Sequence, residues 1–221
     1  MCYNKNISIY TYIIGVTSCI LLLRNDNPSL QIIGFFFFIA IQMQLIDYFL
    51  WSNNKCNSVN INISNVGSMI NFIQPIMLYL AIIYFNKNIE KHKKTKISIV
   101  IFLYVLSLAL YSLNLFPLGC SGVTKSSYPY LQWSWHYKKY PNFICAMFPI
   151  SLTLLFYYGL DKPYNVYVAL ISIISFVISF IIYNEKKAFG NIWCWFSAFI
   201  PLCFILYDKY YDKIIKKFKN E

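Results

Sequence analysis

Seven long apolar runs alternate with short polar segments along the chain. A helix needs about 20 apolar residues to cross the roughly 30 Å hydrocarbon core of a bilayer, and each run approaches or reaches that length. The runs are Ser8–Leu23, Leu30–Trp51, Val66–Phe85, Ile97–Phe116, Phe143–Leu160, Tyr164–Tyr183 and Ile192–Tyr207. They predict an all-α fold, a polytopic transmembrane helical bundle with seven spans. Because three runs are short and the last contains Pro201, six spans is the alternative.

Charged residues are scarce and are segregated from the apolar runs. Of the 221 residues, 58% are hydrophobic and 12% are charged, whereas roughly a quarter of an ordinary soluble domain is charged. All 19 lysines and arginines lie outside the runs, and Asp47 is the one acidic residue of eight inside them. An unpaired charge at mid-bilayer costs at least ~2.5–3.5 kcal/mol, so this segregation is typical of an integral membrane protein.

The net charge of +11 predicts contact with anionic lipid headgroups and no nucleic-acid partner, because the lysines cluster beside the spans. The two basic clusters are Lys87–Lys96 and the C-terminal tail. The predicted organisation is one transmembrane domain, residues 1–207, followed by a basic tail, residues 208–221. Apolar positions in Tyr207–Lys219 predict an amphipathic helix on the cytosolic leaflet, and a stop-transfer flank that frays is the alternative.

The distribution of basic residues predicts the orientation. With seven spans, the side of the membrane that holds the N-terminus carries seven basic residues and the other side carries twelve. The positive-inside rule therefore places the N-terminus in the lumen or outside and the C-terminus in the cytosol. The membrane is predicted to be an endomembrane or the plasma membrane, or a host membrane if the protein is viral. The Asn-x-Ser sequons at Asn6 and Asn62 fall on the lumenal side and are candidate glycosylation sites. Cys56 and Cys120 lie in two lumenal loops, where they either form a disulfide or remain unpaired thiols.

The polar residues inside the apolar runs form the candidate site. Gln44 and Asp47 share a helix face in the second run, near its lumenal end. The third run carries Asn71 and Gln74 three residues apart, followed by Pro75, which removes one backbone hydrogen bond and admits a polar partner. Because the short connection makes these two spans antiparallel, both polar faces are predicted at a similar depth.

Two further asparagines, Asn114 and Asn191, lie toward the same side. The whole set predicts a polar cavity that opens to the lumen, with Asp47 as a proton-coupled carboxylate or a cation ligand. The alternative is structural: Asp47 reaches interfacial water, and the amides are hydrogen-bonding contacts between helices. The aromatic connection from Pro117 to Pro141 is either an interfacial belt or a lid over this cavity.

Several functional classes are disfavoured by residue type. A retinal protein needs a lysine inside the last span, and no run contains one. Zinc-dependent membrane hydrolases need several histidines and acidic groups around the metal, whereas His92 and His136 are predicted on opposite sides of the membrane. The seven glycines form no phosphate-binding loop. An enzyme is therefore disfavoured, and no cofactor or metal is predicted.

Short blocks of the sequence resemble uncharacterised seven-span membrane proteins of giant viruses and unicellular eukaryotes. The blocks are Gln-Met-Gln-Leu-Ile-Asp-Tyr-Phe-Leu-Trp (42–51), Gln74-Pro75 and Gly-Asn-Ile-Trp-Cys-Trp (190–195). That resemblance implies a membrane bundle and no particular activity. The span count and orientation are also similar to the three-plus-one-plus-three bundles of SWEET sugar carriers and lumenal retrieval receptors. Pro75 and Pro201 would be corresponding positions of a repeat, although the Pro-Gln signature of those carriers is absent.

Two functional hypotheses follow from these patterns. The first is a small-solute or proton-coupled transporter or channel whose lumenal-side cavity contains Asp47. The second is a receptor or scaffold that does not transport and binds partners through its aromatic loop or its basic tail.

Overall fold

The computed structural model describes residues 4–115, 119–124, 129–136, 141–183 and 189–219, with side chains except at 113–115, 136, 141–145, 183, 189, 191 and 211–219. Most of this part of the chain is helical. The helices are α1 (Lys5–Leu23), α2 (Pro28–Ala40), α3 (Gln42–Ser52), α4 (Ser58–Phe85), α5 (Lys91–Leu115), α6 (Pro141–Gly159), α7 (Tyr164–Tyr183), α8 (Phe189–Ser197) and α9 (Ile200–Lys219). Two short strands, β1 (Gly122–Val123) and β2 (Leu131–Gln132), and a 3₁₀ turn, Ser134–His136, lie between α5 and α6.

Six helical segments in the described part of the chain are long and apolar enough to cross a membrane, and α2 and α3 together form one of them. The apolar part of α6, Ala146–Gly159, is shorter. Large apolar side chains cover the outward faces of α5 and α7; Phe102 is 66% exposed and Ile181 is 75% exposed. Apolar surface on this scale is stable in hydrocarbon rather than in water. The chain is an integral, multi-pass membrane protein, and the predicted all-α membrane fold is confirmed.

Asparagine side chains cap the beginnings of three helices. The side-chain oxygens of Asn4, Asn27 and Asn57 each accept a hydrogen bond from a backbone N–H in the first turn, at 2.9–3.0 Å. Such caps satisfy amides that have no partner within the helix. The cap at Asn57 begins α4 in a polar stretch, eight residues before the predicted apolar run at Val66. The helix therefore extends beyond the apolar run.

Two of the predicted spans are interrupted. The second run breaks at Ile41, between α2 and α3, and the side-chain amide of Gln42 donates a hydrogen bond of 2.9 Å to the carbonyl of Phe38 beside the break. The last run breaks at 198–199, between α8 and α9. Pro201 is the second residue of α9, a position in the first turn where proline disturbs no helical hydrogen bond. Pro75, in contrast, lies inside α4 and does not end that helix.

The helices form a bundle around the second span. In the stretch Pro28–Ser52, 67% of the most apolar window is buried, the highest fraction among the six candidate spans. Helix α1 packs against α2 and α3, and α4 packs against the same pair and against α5 and α6. Helix α7 packs against α6 and α8, and α9 packs against α1. Residues on α2 and α3 therefore lie at the centre of the protein.

The bundle has two distinguishable ends. The loop end carries the beginnings of α1 and α4 together with β1 and β2, and the tail end carries the Leu23–Pro28 connection. At the tail end, the side chain of Asn86 donates to the carbonyl of Gly159 at 3.1 Å, and Asp208 accepts hydrogen bonds from Asn25 and Tyr164. Helix α9 continues to Lys219 without a break, so its last residues extend the final helix. The division at residue 207 and the position of the tail on the leaflet stay predictions.

Candidate functional site

Asp47 lies in α3 with no solvent exposure. One oxygen of its carboxylate accepts a hydrogen bond of 2.7 Å from the indole N–H of Trp133. Trp133 follows β2 and so belongs to the connection between α5 and α6, outside the membrane helices. A buried carboxylate requires a hydrogen-bonding partner, and here a loop residue supplies one.

The loop that carries Trp133 folds back into the bundle. Strands β1 and β2 pair antiparallel, with Gly122 opposite Gln132, and the chain then enters the 3₁₀ turn. Trp133 and Trp135 are 0% and 1% exposed, and their rings stack with centroids 4.9 Å apart. We call these two side chains the tryptophan plug. The two tryptophans are thus buried against the bundle, and Trp133 contacts Asp47 directly.

Two features of the neighbouring helices accommodate the tryptophan plug. Gly67 of α4 leaves space for it, since a Cβ atom at that position would lie 2.8 Å from the ring of Trp135 and 2.8 Å from Ile46. The hydroxyl of Tyr111 in α5 donates a hydrogen bond of 3.0 Å to the backbone carbonyl of Trp135. The plug is therefore held by α3, α4 and α5 together.

The loop is fastened to the beginning of α4. Cys56 and Cys120, the pair named from the sequence, form a disulfide with their Cα atoms 5.4 Å apart. The amide of buried Asn60 donates to the carbonyl of Ser121 and accepts from its N–H, both at 3.0 Å. The hydroxyls of Ser64 and Ser121 share a hydrogen bond of 2.8 Å. These contacts fix the strand that precedes the tryptophan plug.

The other amides of the predicted site are also inside the bundle. Gln44 is fully buried, and its side-chain oxygen accepts a hydrogen bond of 3.0 Å from Thr11, which joins α1 to α3. Asn71 and Gln74 are 8% and 3% exposed on α4. The structure thus buries four of the six predicted site residues on the two facing helices.

A small cavity lies at the centre of the bundle, and Gln74 lines it. The volume that the centre of a water molecule can occupy in this cavity is about 20 Å³. Roughly 10–15 Å³ of such volume is enough to hold one water molecule. The lining residues are Phe36, Phe37, Ala40, Gln74, Leu152, Phe156, Ser172, Trp193, Cys194, Ser197 and Ile200. The side-chain nitrogen of Gln74 has no hydrogen-bond partner among the described residues. Cys194 connects this cavity to the predicted site, because it belongs to the same buried cluster as Trp133, the partner of Asp47.

Comparisons with known proteins give no family. No protein-family model matches the chain, and no curated protein or solved structure matches it.

The structure describes the remaining predicted residues, two asparagines and two sequons, only in part. The side chains of Asn114 and Asn191 lie outside the described residues, although α5 and α8 contain their backbones. Asn6 and Asn62 are both exposed at the loop end. Both sequons lie within helices, and their serines, Ser8 and Ser64, are fully buried. Glycosylation at these two sites stays a prediction.

The site combines a buried carboxylate with neutral hydrogen-bonding groups. Among the described residues, no three His, Cys, Asp or Glu side chains lie together as metal ligands would. A carboxyl group in such a setting is able to take up and release a proton. Sequence reasoning missed Trp133 as the partner of Asp47, and it missed Cys194, Ser172 and Ser197 around the cavity. The one available signal was the indole itself, which needs an acceptor when it is buried.

Proposed function

We propose that the chain is a transporter or channel that moves protons, alone or together with a small solute, and that Asp47 is the charged group of its pathway. The observation that carries this proposal is the buried carboxylate of Asp47 in contact with a loop indole. Ionisable residues inside membrane helices are costly and mark ion or proton pathways. A contact made by a loop can break while the helices stay packed, so the tryptophan plug would act as a gate on the carboxylate.

We also propose seven spans, with α6 as the fifth and with the loop end on the lumenal or outer side. Helix α6 has 19 residues, from Pro141 to Gly159, which supports a full crossing. A disulfide at the loop end suits an oxidising compartment. Exposed lysines at the tail end, among them Lys87 and Lys94, suit the anionic cytosolic leaflet.

A receptor or scaffold that recognises partners through the aromatic loop has less support. Trp133 and Trp135 are buried against the bundle, so the largest side chains described in the loop offer no surface to a partner. Binding through the basic tail is the second hypothesis.

Asp47→Asn is expected to stop proton movement. The substitution keeps the size of the side chain and an oxygen that accepts from Trp133, but it removes the ionisable group. Purified protein would be reconstituted into liposomes that contain a pH-sensitive dye, under an imposed membrane potential, with and without external amino acids and sugars. Wild type should acidify the liposomes faster than protein-free controls, and the variant should be slower than wild type by at least about tenfold, a barrier increase of about 1.4 kcal/mol.

The matched control is Asp208→Asn, the same substitution in a partly buried carboxylate at the tail end. Its proton flux should equal that of wild type. The proposal is wrong if Asp47→Asn conducts as well as wild type, if wild type does not exceed protein-free liposomes, or if Asp47→Asn fails to fold, because the carboxylate would then be structural.

A further inference from the structure

The two helix interruptions meet at one place in the bundle. Gly15 of α1 lies between them: a Cβ atom there would be 2.5 Å from the Cδ1 atom of Ile41 and 3.2 Å from the carbonyl oxygen of Ala198. Ile41 separates α2 from α3, and Ala198 lies between α8 and α9. Both breaks therefore contact the same turn of α1. Interrupted helices that meet within a membrane bundle are where transporters build their central sites, because helix ends provide free backbone groups.

The central cavity adjoins both interruptions. Ala40 ends α2 and lines the cavity, and Ser197 and Ile200 flank the second break and line it too. Its polar lining consists of Gln74, Ser172, Cys194 and Ser197 among apolar and aromatic side chains. The space holds about one water molecule.

The hydrogen-bonding groups of this cavity suit water. Gln74 is 97% buried and presents an amide nitrogen that finds no acceptor among the described residues. The hydroxyl of Ser197 donates to the carbonyl of Cys194 at 2.6 Å, which leaves its oxygen able to accept. Ser172, 6% exposed, adds a second hydroxyl. A buried water typically makes two to four hydrogen bonds, and these three side chains supply both donors and acceptors.

The cavity is also connected to the proposed gate. Cys194 lines the cavity and also belongs to the buried cluster that contains Trp133 and Trp135. Cys194 is therefore common to the surroundings of the tryptophan plug and to the lining of the central cavity.

We propose that the central cavity binds one water molecule between Gln74, Ser172 and Ser197, and that this water passes protons between Asp47 and the tail-end half of the bundle. The proposal rests on the proposed function. The water accepts a proton on one side and releases a proton on the other, so it is regenerated and no protein bond changes. The cavity would thus lie on the proton pathway, between Asp47 and the tail-end half of the bundle.

The test is the double variant Ser172→Ala/Ser197→Ala in the liposome assay. Removing two hydroxyls leaves the apolar lining intact but removes partners of the water, and proton flux is expected to fall by at least about tenfold. Ser179→Ala is the matched control, since Ser179 is fully buried in α7, the helix of Ser172, and does not line the cavity. Its flux should equal that of wild type.

The outcomes separate this inference from the proposed function. If Asp47→Asn is inactive while the double serine variant conducts as wild type does, the water site is wrong and the role of Asp47 stands. If wild type conducts no protons, both proposals fall. Gln74→Met, which removes the amide at similar volume, is the second variant; it should lose flux in parallel, and normal flux would overturn the inference even if the double variant failed to fold.

Discussion

Replacing Trp133 with alanine is expected to lower the free energy of unfolding by about 3–5 kcal/mol, the usual cost of deleting a fully buried tryptophan. Trp133 is 0% exposed, stacks on Trp135 and donates its indole N–H to Asp47. The substitution removes the ring and also withdraws a hydrogen bond from a buried carboxylate, and each loss destabilises the folded state.

The loss would be measured by denaturant-induced unfolding in mixed micelles, followed by circular dichroism. Trp133→Phe separates the two contributions, because it keeps an aromatic ring beside Trp135 and removes the N–H; its cost should be about 1–3 kcal/mol. If Trp133→Ala unfolds at the same denaturant concentration as wild type, the tryptophan plug does not hold the loop end together.

Replacing Gly34 with leucine is expected to cost about 3 kcal/mol, the upper part of the range for overpacking a well-packed interior. A Cβ atom at Gly34 would lie 2.9 Å from the Cβ atom of Leu22, 3.0 Å from the carbonyl oxygen of Cys19 and 3.1 Å from the backbone nitrogen of Leu23. Two of these atoms are backbone and cannot rotate away. Helices α1 and α2 must therefore separate, as expected where a small residue lets two membrane helices approach closely.

Gly122→Leu is the matched control for this prediction. A Cβ atom at Gly122 meets nothing within 4 Å, and its backbone conformation is accessible to other residues. The control should change the free energy of unfolding by no more than about 0.5 kcal/mol. Equal stabilities of Gly34→Leu and Gly122→Leu would show that α1 and α2 do not pack through Gly34.

The spans could be predicted because hydrocarbon is the solvent for most of this sequence. The predicted run Tyr164–Tyr183 coincides with α7, and the run that ends at Phe85 ends where α4 ends. The break at Ile41 had no such signal, since an apolar residue stands there and the side-chain amide of Gln42 donates locally to the carbonyl of Phe38. Pro201 was visible in the sequence, but a proline predicts a helix start as readily as a kink.

The candidate site could be predicted in part for the same reason. Polar residues such as Gln44 and Asp47 stand out in an apolar run, and the structure buries both. The contact between Asp47 and Trp133 spans 86 residues of chain, and no local pattern encodes it. The composition of the aromatic loop fits an interfacial belt as well as a plug, so the choice required the three-dimensional structure. Single serines such as Ser172 carry no signal, because short hydroxyl side chains are common in membrane helices for packing.

Infrared difference spectroscopy of the reconstituted protein tests most directly whether Asp47 exchanges protons with the aqueous phase. Spectra recorded at successive pH values should show a carboxylic-acid carbonyl band that grows as the pH falls, disappears as it rises, and is missing from Asp47→Asn. Such a band would mean that protons reach the carboxylate beneath the tryptophan plug in the folded protein. Identical spectra from wild type and Asp47→Asn across the pH range would contradict the account.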